Sequence, residues 1–348
     1  MNKTLRAALF GLPLLFTSCA GASPSPPPPA PSGSGTSPPA AVRDPSVDNV
    51  ILVTLDGVRW QEIFTGMDPE RADEAGLPGG EARTARSLTP NFHRLFFDGG
   101  TVLGDPHLGE PFLATGPHYV SLPSYVEIMT GAASGCGGND CQPDVPWTIA
   151  AEVARRGARG GAAVFSSWST ISRAVPLGDH LHLEAGRSPR DEDPPYPGHG
   201  DYRPDRRTAA AAIDHLLRRR PRLLWVALGD TDEWAHRRDY RGYVESLRFA
   251  DAFVGELCAH LSDMGAYGAG TTVLVTTDHG RDANFADHGG PDSAAVWLMA
   301  RGRAIPPKGP RGLAQRRYLR DIAPTIASLY GLSRRRCDAC GDVIEDLL

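Results

Sequence analysis

The sequence predicts an α/β fold, a three-layer sandwich with a mostly parallel central sheet and helices on both faces. Three observations predict it. From about residue 49 onward, short apolar runs alternate with stretches of helical period. Several runs are apolar throughout, as strands covered on both faces must be. The runs end in Asp56-Gly57, Gly229-Asp230 and Asp278-His279-Gly280, which read as loops leaving the carboxyl ends of strands.

Taken in order, Asn49 to Leu55 is the first buried strand. Segment 66–88 reads as a long surface loop. Thr89-Pro90 opens a helix through Phe92, Leu95 and Phe96, with Pro in its first turn and Gly99-Gly100 at its end. A helix from about Pro123 to Met129 follows Ser121. Another, roughly Trp147 to Arg156, precedes a strand near 162–165. Segment 185–206 is rich in Pro, Asp, Arg and Gly and reads as a second long loop. A helix over Thr208–Arg218 leads into the strand Leu223–Leu228. In the helix predicted for about 240–263, Tyr243, Leu247, Ala250, Val254, Leu257 and Leu261 recur on one face. Thr271–Thr277 and Ala295–Ala300 are the last strands, and Asp321 to Thr325 opens the final helix. No internal repeat interrupts this order.

The ends of the chain set its organisation. Lys3 and Arg6 precede the mostly apolar Ala7–Phe16, the pattern of an export signal over residues 1–18. Phe16-Thr17-Ser18-Cys19 resembles a bacterial lipobox, with Phe16 where Leu is usual. Cys19 then becomes a lipidated membrane anchor; the alternative is simple secretion with Cys19 discarded. Residues 19–46 are almost only Pro, Ser, Gly, Ala and Thr and read as a disordered tether. Residues 47–348 form the catalytic domain, with loop insertions near 60–120 and 180–206.

The formal net charge of -5 argues against a nucleic-acid partner. The runs Arg218–Arg220 and Arg334–Arg336 are read as solvated helix ends. Of the six cysteines, Cys136 and Cys141 bracket a Gly-rich loop and Cys337 and Cys340 lie near the C-terminus. In an oxidising compartment each pair can close on itself, or the pairs can cross. Cys258, on a helix, reads as a buried thiol.

Acidic and His residues fall at three strand ends: Asp56, then Asp230 and Asp232, then Asp278 and His279. Carboxyl ends of strands gather into one crevice in open α/β sheets, and a mixed Asp/His set suits zinc-like ions. Asp232 and His236, four apart, share a face if a helix begins there. His279 and His288 flank a loop that can bring them to neighbouring ions. The other eight His are read as surface or core residues. Ser121 is expected just before a helix whose first turn holds Pro123, where free N–H groups favour an anion. Its alternative role is a plain helix cap, and Ser124, inside the helix, is the rival nucleophile.

These motifs together resemble the alkaline phosphatase superfamily over most of 49–335. Val53-Thr54-Leu55-Asp56-Gly57 resembles the first ligand strand, and Ser121-Leu122-Pro123-Ser124 the nucleophile motif. Asp232-Glu233-Trp234-Ala235-His236 resembles the Asp-x-x-x-His element. Thr277-Asp278-His279-Gly280 and Asp287-His288-Gly289 resemble the last ligand motifs, and Asp321 to Thr325 the closing helix. The resemblance implies that Asp56, Ser121, Asp278 and His279 hold one divalent ion and Asp232, His236 and His288 another, both zinc. It implies a phosphate-ester substrate cleaved through Ser121, with Asn139 touching a phosphoryl oxygen. Tyr125 stands where sulfatases carry the Arg needed for formylglycine, which favours phosphate over sulfate. A sulfatase, a phosphotransferase on lipid or glycan head groups, and an inactive surface-binding protein are the competing readings.

Overall fold

The computed structural model describes residues 48–156, 160–176, 178–187, 201–333 and 337–348. The signal, Cys19 and the whole of the tether therefore lie outside the described residues, as do Arg334–Arg336 and the middle of the 185–206 segment.

Ten strands are present among the described residues: β1 (Asn49–Leu55), β2 (Thr101–Leu103), β3 (Phe112–Leu113), β4 (Ala162–Ser166), β5 (Leu181–Ala185), β6 (Leu223–Leu228), β7 (Thr271–Thr277), β8 (Leu298–Arg301), β9 (Gly309–Pro310) and β10 (Arg317–Tyr318). Eight form one sheet in the order β5-β4-β6-β1-β7-β8-β2-β9, and β3 pairs with β10 apart from it. The run from β5 to β7 is parallel throughout. β8 runs antiparallel to both β7 and β2.

The continuous apolar runs are explained by burial on both sides. Val50 and Leu52 pack in one layer with Leu122, Ile128 and Ile149. Ile51, Val53 and Leu55 pack in the other with Val244, Leu247 and Val254. Alternation along one strand thus feeds two separate cores, each buried side chain contributing roughly 1.5–3 kcal/mol. The long helix spans Tyr240–Asp263, as its apolar stripe predicts. The three-layer α/β expectation holds.

Several local expectations are corrected. Segment 66–88 is not an open loop: it carries short helices at Pro69–Glu74, Gly80–Arg83 and Ala85–Leu88, two of them capped by the side chains of Asp68 and Thr84. Leu181–Ala185 is a strand, the sheet edge, although it falls in the expected insertion at 180–206. Its alternating Leu181, His182, Leu183 and Glu184 suit a half-covered edge strand. The last long strand begins at Leu298 rather than Ala295. Cys136–Cys141 and Cys337–Cys340 are disulfides, so the pairs do not cross, and Cys258 is free and buried.

Candidate metal centre

β6, β1 and β7 are neighbours at the centre of the sheet and end level with one another. Leu55 pairs with Leu228 on one side and with Thr277 on the other. The next residues, Asp56 and Asp278, therefore emerge side by side, and the helix Asp230–His236 begins one residue beyond β6. Gly57 turns the chain away at φ +63. A Cβ there would lie 2.6 Å from Arg281 Nη1 and 2.7 Å from Asp232 Oδ1. Only glycine fits both the backbone conformation and this approach.

Two clusters of candidate ligands result. Asp56, Asp278 and His279 form one and Asp232, His236 and His288 the other, each with its ligand atoms within 4.8 Å of one another. In the first, His279 Nε2 is 3.4 Å from both Asp56 Oδ1 and Asp278 Oδ2. Ser121 Oγ lies 3.3 Å from Asp56 Oδ1 and 3.3 Å from His279 Nε2. In the second, His236 Nε2 is 2.9 Å from Asp232 Oδ2 and 3.2 Å from His288 Nε2. The His279 and His288 rings stack at 3.9 Å, so the clusters adjoin. Asp232 and His236 occupy one short helix, a turn apart, and this helix ends at His236 rather than running on toward Tyr240.

The donor set fits divalent ions. The buried Asp278 Oδ2 has no hydrogen-bond partner, a costly arrangement unless a cation takes it. His279 Nδ1 faces its neighbour's carbonyl, Gly280 O, at 2.8 Å, and His288 Nδ1 faces Tyr119 O at 2.9 Å. Each carbonyl needs a proton on Nδ1, which leaves Nε2 as the ring atom that faces the cluster and could bind an ion. Burial and the adjacent Asp56 hold Asp278 well above the usual carboxylate range. Burial opposes charge on His279, yet Asp278 and Asp56 raise it to about 9. Burial and His279 push His288 down to about 3. Three buried carboxylates thus share a site whose protein-borne countercharge comes from Arg281 and His279.

Ser121 is not a residue before the helix but its first residue: the helix is Ser121–Thr130 and Val120 is the cap. Pro123 tolerates this first turn because its missing N–H would have been unpaired anyway. The expected row of free N–H groups is mostly taken. Leu122 N–H donates to Asn139 Oδ1 at 2.9 Å, and Ser124 N–H donates to Val120 O at 3.3 Å. Asn139 therefore caps the Ser121 helix from a distant loop. That loop is closed by the Cys136–Cys141 disulfide, and Arg173 Nη1 donates to Asn139 O at 3.1 Å. Among the described residues Asn139 Nδ2 has no partner. Ser124, also buried, lies three residues further along the helix.

Two contributors escaped the sequence. Tyr125 donates its hydroxyl to Asp56 Oδ2 at 2.9 Å. Arg281, wholly buried, donates to Asp232 Oδ1, to Phe285 O, and to Ala286 O at 2.6 Å. It pins the loop between His279 and His288 onto the second cluster. Its place two residues after His279 was visible; its burial was not.

Residues 201–334 match the family model described as Metalloenzyme superfamily. That span includes Asp232, His236, Asp278, His279 and His288; Asp56 and Ser121 precede it. The phosphopentomutase of Alkaliphilus metalliredigens (strain QYMF) is 27% identical over 123 residues, 34% of this chain and 29% of that protein. The phosphopentomutase of Methylobacterium sp. (strain 4-46) is 35% identical over 114 residues, 32% of this chain and 25% of that protein. The chain thus spans under a third of the length of these relatives. Among solved structures, BT4656 in complex with its substrate D-Glucosamine-2-N, 6-O-disulfate superposes with a TM-score of 0.57 at 13% identity, over 86% of this chain and 80% of that one. The phosphonate monoester hydrolase of Agrobacterium radiobacter also gives 0.57, at 15% identity, over 86% and 77%. A protein in the alkaline phosphatase superfamily from Vibrio parahaemolyticus gives 0.52 at 14% identity, over 84% and 68%. The alkaline phosphatase-like resemblance read from the motifs is borne out.

Proposed function

We propose, with the metalloenzyme-superfamily match of residues 201–334 as premise, that this chain is an exported two-metal hydrolase of phosphate esters working through a phosphoserine at Ser121. The observation that carries the reading is the pair of adjoining three-ligand clusters with Ser121 Oγ against the first. Asp56, Ser121, Asp278 and His279 would hold one ion and Asp232, His236 and His288 the other; the mixed Asp/His donors suit zinc. When bound, such ions supply Lewis-acid stabilisation and ease deprotonation of a coordinated hydroxyl.

The chain's own residues then divide the work. Ser121 Oγ, equally far from Asp56 Oδ1 and His279 Nε2, stands where an ion held by those atoms would ease loss of its proton to solvent. Its oxygen attacks phosphorus, and the ester oxygen leaves as the alcohol after taking up a proton. Water cleaves the phosphoserine and restores the hydroxyl. Tyr125 fixes Asp56 so that Oδ1 faces Ser121. Asn139 offers its free Nδ2 to a phosphoryl oxygen while its Oδ1 anchors the helix. The phosphopentomutase matches support a second reading in which a sugar hydroxyl, not water, receives the phosphoryl group.

Export and anchoring at Cys19 belong to the same proposal and put the site on the periplasmic or outer face. Cys19→Ser should release the protein from membranes; continued pelleting with membranes would refute the anchor. The catalytic reading is tested by comparing aryl phosphate monoester, diester, phosphonate and sulfate at equal concentration in isotopically labelled water. Label in the released phosphate is expected. Turnover of sulfate alone, or phosphate transferred without label, would overturn hydrolysis of phosphate esters.

A further inference from the structure

We infer that a basic cleft beside the Asp232–His236–His288 cluster is a subsite for a second anionic group on the substrate. The inference rests on the ester-cleaving reading of the metal centre. The cleft has a volume of ≈ 490 Å³ and is lined by Arg71, Arg237, Arg238 and Arg241, with Phe285 beside them. That is the size range of small-molecule sites, roughly 300–1,000 Å³.

Its charge is not balanced by its own walls. Arg71 is committed: it faces Asp68 at 3.4 Å and donates to Ala283 O at 2.9 Å. Among the described residues Arg241 donates only to the carbonyls of Ala75 and Gly76, which carry no countercharge. Arg237 lies over the Trp234 ring at 5.6 Å and is exposed. Neither Arg237 nor Arg238 makes an ion pair within 4 Å among the described residues, although the Arg237 charge acts on the buried Glu233 carboxyl, and Arg238 is exposed at a left-handed φ of 60. Glu74 and Asp239 are the two carboxylates at the cleft. Asp239 already spends an oxygen on Gly242 N–H at 2.9 Å as the cap of the long helix. Three guanidiniums are left facing two carboxylates, one of them occupied.

The cleft shares no lining residue with the metal clusters, and its link to them runs through the chain. Arg237 and Arg238 directly follow the ligand His236 in sequence. Phe285, on the wall, gives its carbonyl to Arg281, which in turn holds Asp232. Arg71 holds Ala283 of the same loop, which runs on to His288. A substrate reacting at Ser121 and extending toward His236 would meet guanidinium forks suited to phosphate, sulfate or carboxylate. The implied substrate class is an ester carrying one further anionic group.

Two readouts on the metal-loaded wild type and the Arg237→Gln/Arg238→Gln double variant test this. The first is binding of naphthalenedisulfonate, followed by its own fluorescence; sulfonates are weak metal ligands and no turnover is needed. Losing charge-assisted hydrogen bonds should weaken binding roughly tenfold or more in the variant, and equal binding by both proteins overturns the inference. The second compares kcat/KM for phenyl phosphate with its carboxy-, sulfo- and phospho-substituted forms. Wild type should favour at least one substituted ester, the best one identifying the anion, and the variant should lose that preference. A preference of equal size in both proteins overturns the subsite. If wild type turns over none of the esters, the hydrolase reading fails, and disulfonate binding alone decides the subsite.

Discussion

Replacing Arg281 with Met separates a structural role from a metal-linked one. The guanidinium is wholly buried and answers the Asp232 carboxylate and the carbonyls of Phe285 and Ala286. Met fills similar space but leaves a buried carboxylate without its cation. Breaking one side of such a pair costs about 3–5 kcal/mol. Urea unfolding in excess chelator should show a loss of that size. Zinc at a hundred times its Kd stabilises a folded protein by about 2.7 kcal/mol through mass action. If Asp232 is a ligand, the ion also replaces the missing guanidinium, so zinc should stabilise Arg281→Met more than it stabilises wild type at the same concentration. An identical zinc-induced gain in both proteins would mean that Asp232 does not meet the ion. A loss near zero in chelator would mean that the pair is not buried as described.

Two further outcomes follow from the same geometry. Tyr125→Phe removes the hydroxyl that donates to Asp56 Oδ2; zinc affinity measured by equilibrium dialysis should fall about 10–100-fold, as for other partners of metal ligands, and unchanged affinity would count against Asp56 as a ligand. Glu127, buried on the Ser121 helix, is pushed by burial from 4.5 to about 7, against the hydrogen bonds it accepts from Thr115. Its folded-state value is raised, so the stability it permits is full below pH 4.5 and is lost as pH rises to about 7, a change of about 3 kcal/mol. Glu127→Gln keeps an acceptor for Thr115 and should abolish that decline; parallel pH profiles of wild type and variant would refute the assignment.

The parts of the molecule legible in sequence were those fixed by short-range chemistry. β1, β6 and β7 are covered on both faces, so their apolar runs have no gaps, and their ends deliver Asp56 and Asp278 side by side. The Asp232–His236 spacing fits one turn of helix wherever that helix ends. β5 and β2 were missed because an edge strand is half polar and a three-residue strand has too little pattern to read. The helices in 66–88 were missed because they are four to six residues long. Ser121 was placed one residue early, since Pro123 is compatible with either of two starting registers. Arg281 was invisible for a different reason: nothing local distinguishes a buried guanidinium from a solvated one until Asp232 arrives from 49 positions away.

The central claim is that Ser121 carries the phosphoryl group. The direct measurement is mass spectrometry of protein quenched in acid during turnover of an aryl phosphate by zinc-loaded enzyme. The account predicts a phosphoryl adduct on the peptide holding Ser121, and its loss together with activity in Ser121→Ala. Undiminished turnover by Ser121→Ala, or an adduct on Ser124 instead, would contradict it.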